Sequence, residues 1–294
     1  MVKMQRKIIQ IAKSTKVISI PKEWVELNKI AKGDSVELEI KNNDLIIRGK
    51  PQKTTVSLDF TGFSEDLIWR HLISLYRKGV DIAEITYREQ ETFKILQNFV
   101  KDLLGWGITQ HTKDKIVIKE LISNKDTNME EILNKMFSLL IELGRSVSNG
   151  LKARDSLVLK NIPSQDYNIN RFANLCLRLI NKNHYENKNS LYVIITALEE
   201  IGDEYRNCAI LEKFSSETLN LFDSVNALLE DYYELYSKFD KERLINFYKK
   251  TERIIDNMEK IKKQNPNDAQ LLNYLRTIIY LIKSLVEETM VLRL

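Results

Sequence analysis

Apolar positions in residues 7–48 come in short, alternating runs. KIIQIA, VISI, SVELEI and LIIR each read as a strand, PKEWVEL reads as a short helix, and Asn42-Asn43-Asp44 reads as the turn joining the last two strands. So small a unit buries little apolar surface alone, so it is expected to complete its core by dimerising or by docking on something larger. Between residues 54 and 122 the period switches back and forth. TVSLDF, IAEITY, GITQ and KIVIKEL alternate with helical patterns near Glu65 to Arg77 and Glu89 to Leu104, which predicts a small α/β module. Gly105-Trp106-Gly107 reads as a helix stop before a strand, not as a nucleotide loop.

Beyond that point the pattern is helical throughout. Thr127 with Glu130 predicts a capping box, after which Met129, Ile132, Met136, Leu140, Leu143, Val147 and Leu151 recur at three- and four-residue steps. Further helices are predicted near Gln165 to Asn181 (Ile169, Phe172, Cys176, Leu179), Ser190 to Lys213 (Leu191, Ile194, Leu198, Ile201, Tyr205), Glu217 to Phe239, Lys241 to Lys262 and Asp268 to Leu292, with Asn265-Pro266 as a break. Three helices followed by three more of similar length predict a duplicated three-helix unit in an antiparallel bundle. The expected organisation is therefore 1–50, a β-rich head; 51–124, an α/β connector; and 125–294, a bundle with repeats of about 125–214 and 215–294. Lys50-Pro51-Gln52-Lys53 is the expected first boundary.

Charge changes this picture in one place. Residues 1–50 hold 11 Lys/Arg against 6 Asp/Glu, whereas residues 51–294 hold 34 against 35, so the whole cationic surplus lies in the head. Local positive charge draws polyanions through counterion release. No apolar run approaches the roughly 18–20 residues of a membrane helix, and a cytoplasmic protein without stable membrane insertion is expected. With only Cys176 and Cys208, on separate predicted helices, the expectation is two buried thiols and no disulfide framework or cysteine zinc site.

The stretch LEEIGDEYRN, Leu198 to Asn207, poses a chemical question. A glycine in a helix interior costs roughly 1 kcal/mol relative to alanine, yet Gly202 is surrounded by Glu199, Glu200, Asp203 and Glu204. Glu199, Asp203 and Asn207 fall four apart and form a column beside the core stripe of Leu198, Ile201 and Tyr205. Stacked carboxylates repel. A hard cation or basic side chains from a neighbouring helix would remove the repulsion, and oxygen-only donors suit magnesium, calcium, manganese or iron rather than zinc. A solvated acidic face with a packing glycine is the alternative, and spacing leaves the two open.

ALEEIGDEYRNCA resembles the third-helix signature of the phosphate-uptake regulator PhoU family. That resemblance implies two copies of a three-helix bundle and acidic Glu/Asp-xxx-Asp motifs that hold divalent or trivalent metal ions on its surface. Carried over position by position, it implies metal ligands at Glu199, Asp203 and Asn207, at Asp166 of the preceding helix, and at Glu252 and Asp256 of the second repeat. The match is partial: Asn170 stands where an acid is usual, and TIIYLIKSLVEE places Lys283 near the expected acids without an Ile-Gly-Asp. Each repeat keeps one complete acidic pair, which argues against a multinuclear cluster and leaves one or two weaker mononuclear sites, or none.

The run from Arg6 to Arg48 resembles the swapped-hairpin domain of AbrB and SpoVT type transcription factors. It is carried by a basic first strand, the VISIPK step into a short helix, the Lys32-Gly33-Asp34 turn and a closing hairpin. The resemblance implies two chains that interleave their hairpins and present a basic β surface to double-stranded DNA, with Arg6, Lys7, Lys13, Ser14, Lys16 and Lys22 at the phosphates and Arg48 a weaker member. Most of these are lysines, which lack the bidentate geometry arginine offers to guanine, so modest base specificity is expected.

The expected fold class is thus multidomain: a swapped-hairpin β domain, a small α/β connector and an all-α PhoU-like bundle. Fusion of these modules resembles archaeal phosphate-uptake regulators. It implies a homodimeric DNA-binding regulator of phosphate homeostasis whose bundle senses phosphate status through metal, or through contact with a phosphate transporter's ATPase or a sensor protein. An adaptor that dimerises through the head and binds a transporter without DNA is the alternative. Enzymatic function is not expected. His71, His111 and His184 are widely spaced near no Ser or Cys motif, no phosphate-binding glycine loop is present, and nothing places a nucleophile beside Glu199 and Asp203. Tyr232, Tyr233 and Tyr236 are expected to pack the fourth bundle helix.

Overall fold

The computed structural model describes residues 4–41, 43–49, 53–122, 127–183 and 185–294. The expected boundaries at 50–51 and 124–125 lie outside the described residues. The chain divides into two compact units, Met1–Thr54 and Thr55–Leu294.

In the first unit every expected element is present. Strands β1 (Ile9–Gln10) and β2 (Lys16–Val17) pair antiparallel, helix α1 spans Lys22–Leu27, and β3 (Glu37–Lys41) pairs antiparallel with β4 (Asp44–Arg48). The Lys32-Gly33-Asp34 turn has its physical cause in Gly33 at φ +95°, with Asp34 accepting from the Ala31 amide through a carboxylate oxygen at 3.0 Å. The first two strands are shorter than KIIQIA and VISI predicted. A two-stranded ribbon is marginal without a third strand or a helix to cover it, and within the unit none of the described residues is buried. On the β3–β4 ribbon the pairs Leu38/Ile47 and Ile40/Leu45 share one face, and Ile40 is 81% exposed there. Ten of the 22 exposed large apolar residues among those described belong to this small unit.

The second unit begins with the predicted α/β layer. Strands β5 (Thr55–Asp59), β6 (Ile82–Thr86), β7 (Trp106–His111) and β8 (Lys115–Glu120) form one sheet in the order β5-β6-β8-β7, with helices α2 (Glu65–Lys78) and α3 (Gln90–Val100). The parallel β5/β6 pair needs a crossover, which α2 provides; β8 runs antiparallel to both neighbours. Ser64 caps α2, and Gly79 at φ +87° ends it. Ile68, Leu72, Tyr76, Ile85, Leu96 and Ile116 form the centre of this layer's core. Gly105, at φ +83°, precedes β7 as the stop that the sequence predicted.

Six long helices follow: α4 (Met129–Ala153), α5 (Ser156–Lys182), α6 (Lys188–Ala209), α7 (Ser216–Ser237), α8 (Lys241–Gln264) and α9 (Ala269–Arg293), with a 3-10 turn at Pro266–Asp268. All seven positions of the predicted α4 stripe are buried. Helix α4 packs against α5, α6 and α7, α6 packs against α9, and α7 packs against α8 and α9, so the two triplets share one core. Tyr232, Tyr233 and Tyr236 pack as expected, around Phe137. Two local expectations fail. Asn128, not Thr127, caps α4, its Oδ1 accepting from the Glu130 amide at 3.0 Å. Helix α5 starts nine residues earlier than Gln165, capped by Asp155, and carries Pro163 inside it. Proline removes one helix hydrogen bond, but packing of Leu159 and Ile162 into the core outweighs that loss.

The α/β layer is fastened to the bundle by a buried cation that the sequence reading did not single out. Arg178 of α5 is 0% exposed, donates from Nη1 to the Tyr76 carbonyl at 2.8 Å, and lies 3.2 Å from Glu120 Oε1. Its guanidinium also faces the rings of Tyr76 and Trp106 at 4.9 and 5.4 Å. One turn on, Lys182 Nζ bridges Asp81 at 2.5 Å and Glu120 at 2.6 Å. A Cβ on Gly79 would stand 2.7 Å from the Lys182 side chain, so the αL stop of α2 also makes room for this bridge. Arg178→Met strips the Tyr76 carbonyl of its buried donor while Glu120 keeps Lys182. It is therefore expected to lower stability by about 1–3 kcal/mol in urea denaturation of the full chain, and the more exposed Lys182→Met by less.

Candidate functional site

The structure gathers the predicted nucleic-acid residues around the first ribbon. Lys16 pairs in register with Gln10, and Lys13 and Ser14 occupy the tip between β1 and β2, which is closed by the Ile11 amide donating to the Thr15 carbonyl at 3.0 Å. Arg6 and Lys7 lead into β1, and all five side chains are exposed. Lys22 stands apart, at the start of α1, with Glu26 3.5 Å away. Arg48 is drawn off by Glu37 and Glu39 of the neighbouring strand, which explains its weaker standing. The arrangement is a short cationic loop flanked by exposed isoleucines, suited to phosphate contact rather than to base-edge readout.

In the bundle, the glycine of LEEIGDEYRN has a direct cause. A Cβ at Gly202 would come within 2.9 Å of Asp166 Oδ1, so glycine is what lets this carboxylate of α5 lie against α6. Asp166 is 1% exposed, and Arg206 Nη1 donates to its Oδ2 at 2.5 Å while also reaching Asp203 at 2.6 Å. The countercharge for Asp203 thus comes from the same helix, three residues along, whereas the cation acting on Glu199 belongs to a different helix. Burial is the dominant influence on Asp166 and raises its pKa, with Arg206 opposing. Burial likewise raises Glu199, reinforced by Asp203 and opposed by Arg77 of α2. Arg77 is itself held by Asn174, which accepts from Nε at 2.7 Å.

The predicted column does not act as one unit. Asp203 turns to Arg206, whereas Asn207 interacts with Glu204. Asp166 Oδ1 and Asn170 Oδ1 are buried without a hydrogen-bond partner. In the second triplet Glu252 and Asp256 lie exposed on α8, and Lys283 faces the Tyr248 ring instead of an acid. Among the described residues no group of three or more His, Cys, Asp or Glu is gathered closely enough to hold a metal ion. Where the ligands implied by the resemblance converge in the first triplet, a guanidinium already lies between the carboxylates, so with Arg206 in place this donor set does not fit an oxygen-liganded ion.

His71 meets the Leu67 carbonyl at 2.9 Å beside Phe63, and His111 stacks on Phe93 at 3.7 Å; His184 lies outside the described residues. Cys176 and Cys208 are buried free thiols, and burial pushes Cys176 up to about 12. No helix among the described residues is long and apolar enough to cross a membrane.

Two consequences are measurable. Gly202→Ala forces Asp166 from its seat and is expected to cost about 1–3 kcal/mol in urea denaturation. Glu199 has a folded-state pKa above its unfolded value, so its contribution to stability is fully present below the unfolded pKa and is lost as pH rises through the folded one. Glu199→Gln is therefore expected to raise the urea midpoint at pH 7, with the gain vanishing near about pH 4.

Residues 9–55 match the family model described as antidote-toxin recognition MazE, bacterial antitoxin. Among solved structures, the crystal structure of the phosphate transport system regulatory protein PhoU from Streptococcus pneumoniae is similar, with 16% identity, a TM-score of 0.47, and coverage of 55% of this chain and 92% of that one. No curated protein matches the chain.

Proposed function

We propose that this chain is a dimeric DNA-binding regulator of phosphate uptake, with its head on DNA and its bundle reading phosphate status through a transporter ATPase or sensor protein. The observation that carries the DNA-binding part is the combination found in the head: none of its described residues is buried, its apolar faces are open, and Arg6, Lys7, Lys13, Ser14 and Lys16 are exposed around one ribbon. A second copy supplies apolar cover of matching composition and doubles the cationic surface. The phosphate part rests on the ALEEIGDEYRNCA signature. No catalytic role is assigned to any residue.

In this reading the lysines hold phosphates and set register, and they contribute little base discrimination. Coupling to the bundle requires each ligand to prefer a different state of the dimer. Anisotropy titrations of mixed-sequence duplex over a range of salt concentrations test the proposal. A steep fall of log affinity with log salt is expected. Lys13→Ala with Lys16→Ala should flatten the slope by about 3–4 for a dimer in which both lysines of each chain meet phosphates, at about 0.9 per contact. Absence of binding at low salt would leave an adaptor that dimerises without DNA, and a monomer in sedimentation at micromolar concentration would remove both readings.

A further inference from the structure

We infer that the bundle carries a binding site for a small organic anion with an apolar body, such as an aryl or alkyl carboxylate or sulfonate, at the end where the α4–α5 and α6–α7 connections meet. A cavity of about 350 Å³ lies there, within the range of small-molecule sites. Its apolar wall is formed by Leu151, Leu159, Leu211, Phe214 and Leu219. Glycine shapes it: a Cβ at Gly150 would stand 2.8 Å from Leu159 Cδ2, so Gly150 is what allows α5 to bring Leu159 over α4.

The polar lining is mainly cationic. Lys152, Arg154 and Lys213 line the cavity with a single acid, Glu212. Lys152 is engaged by Asp223 of α7, leaving Arg154 and Lys213 as exposed cations with no acidic partner among the described residues. Both hold left-handed backbone conformations, Arg154 at φ +52° and Lys213 at φ +64°. Arg154 does so as the αL cap that ends α4, its amide donating to the Gly150 and Leu151 carbonyls, and the two turns set both cations at the cavity. Of the four such non-glycine residues that the described residues contain, two line this one cavity.

The helix ends at this place are already satisfied. Asp155 accepts from the Leu157 and Val158 amides of α5 at 3.0 and 3.1 Å, and Ser215 caps α7 while Asp268 holds it at 2.6 Å. An anion would therefore be met by the side chains of Arg154 and Lys213, whose charge-assisted hydrogen bonds fix its orientation, while its body fills the leucine-lined wall. A compound without the charge gains only the apolar contact.

The test uses the full chain with leucine methyls labelled for NMR, naphthalenesulfonate as the anionic probe and naphthol as its neutral counterpart. Saturable shifts are expected at the methyls of Leu151, Leu159, Leu211 and Leu219. The double variant R154G/K213G removes both charges at positions whose backbone suits glycine, so it is expected to melt at or above the parent temperature. It should weaken the sulfonate at least about tenfold and leave naphthol within about twofold. Two results overturn the assignment: no saturable shift at those methyls with the sulfonate, or an equal effect of the double variant on both probes.

Discussion

The second unit depends on one buried charge. Arg178 is fully enclosed, and although it belongs to the bundle its guanidinium is answered wholly by the α/β layer: by the Tyr76 carbonyl, by Glu120 and by the rings of Tyr76 and Trp106. Desolvating an arginine is costly, so the seam is stable only in the one register that returns all these contacts. Lys182 fixes that register from the rim, and Gly79 leaves the space in which it does so. The α/β layer and the bundle thus belong to one compact unit, and Arg77 carries the layer's influence to Glu199.

The same logic recurs at the acidic face of α6. Carboxylates on neighbouring turns need positive charge nearby, and here Arg206 supplies it without leaving the helix. A guanidinium is planar and directional where a metal ion is compact and multidentate. It can join one acid of α5 to one of α6, so it fastens two helices and leaves Glu199 to Arg77 of α2. The glycine that begins as an oddity of composition becomes the clearance that this pairing needs.

Much of this was legible in the sequence because the second unit follows its periodicities closely. The seven-residue stripe of α4, the strand–helix alternation of 55–120 and the stop at Gly105 all appear where apolar spacing and turn chemistry put them. What escaped has physical reasons. The first nine residues of α5 were hidden by Pro163, since tertiary packing overrode a local penalty that sequence rules weigh heavily. Arg206 is not evident from the four-residue spacing of the column, because it stands three residues from Asp203. Arg178 did leave a signal: a lone arginine in LCLRLI, inside an apolar run, is a charge that burial must answer. The cavity beside Arg154 and Lys213 left none, because left-handed conformations at arginine and lysine are not encoded in any local pattern.

The burial of both cysteines has a practical corollary. Cys176 and Cys208 sit on adjacent helices of the first triplet, enclosed and with their thiols held in the unreactive protonated form. Oxidants and alkylating agents can then attack only molecules whose helices have momentarily parted. The pace of alkylation becomes a clock for those excursions, read from thiols the chain already carries.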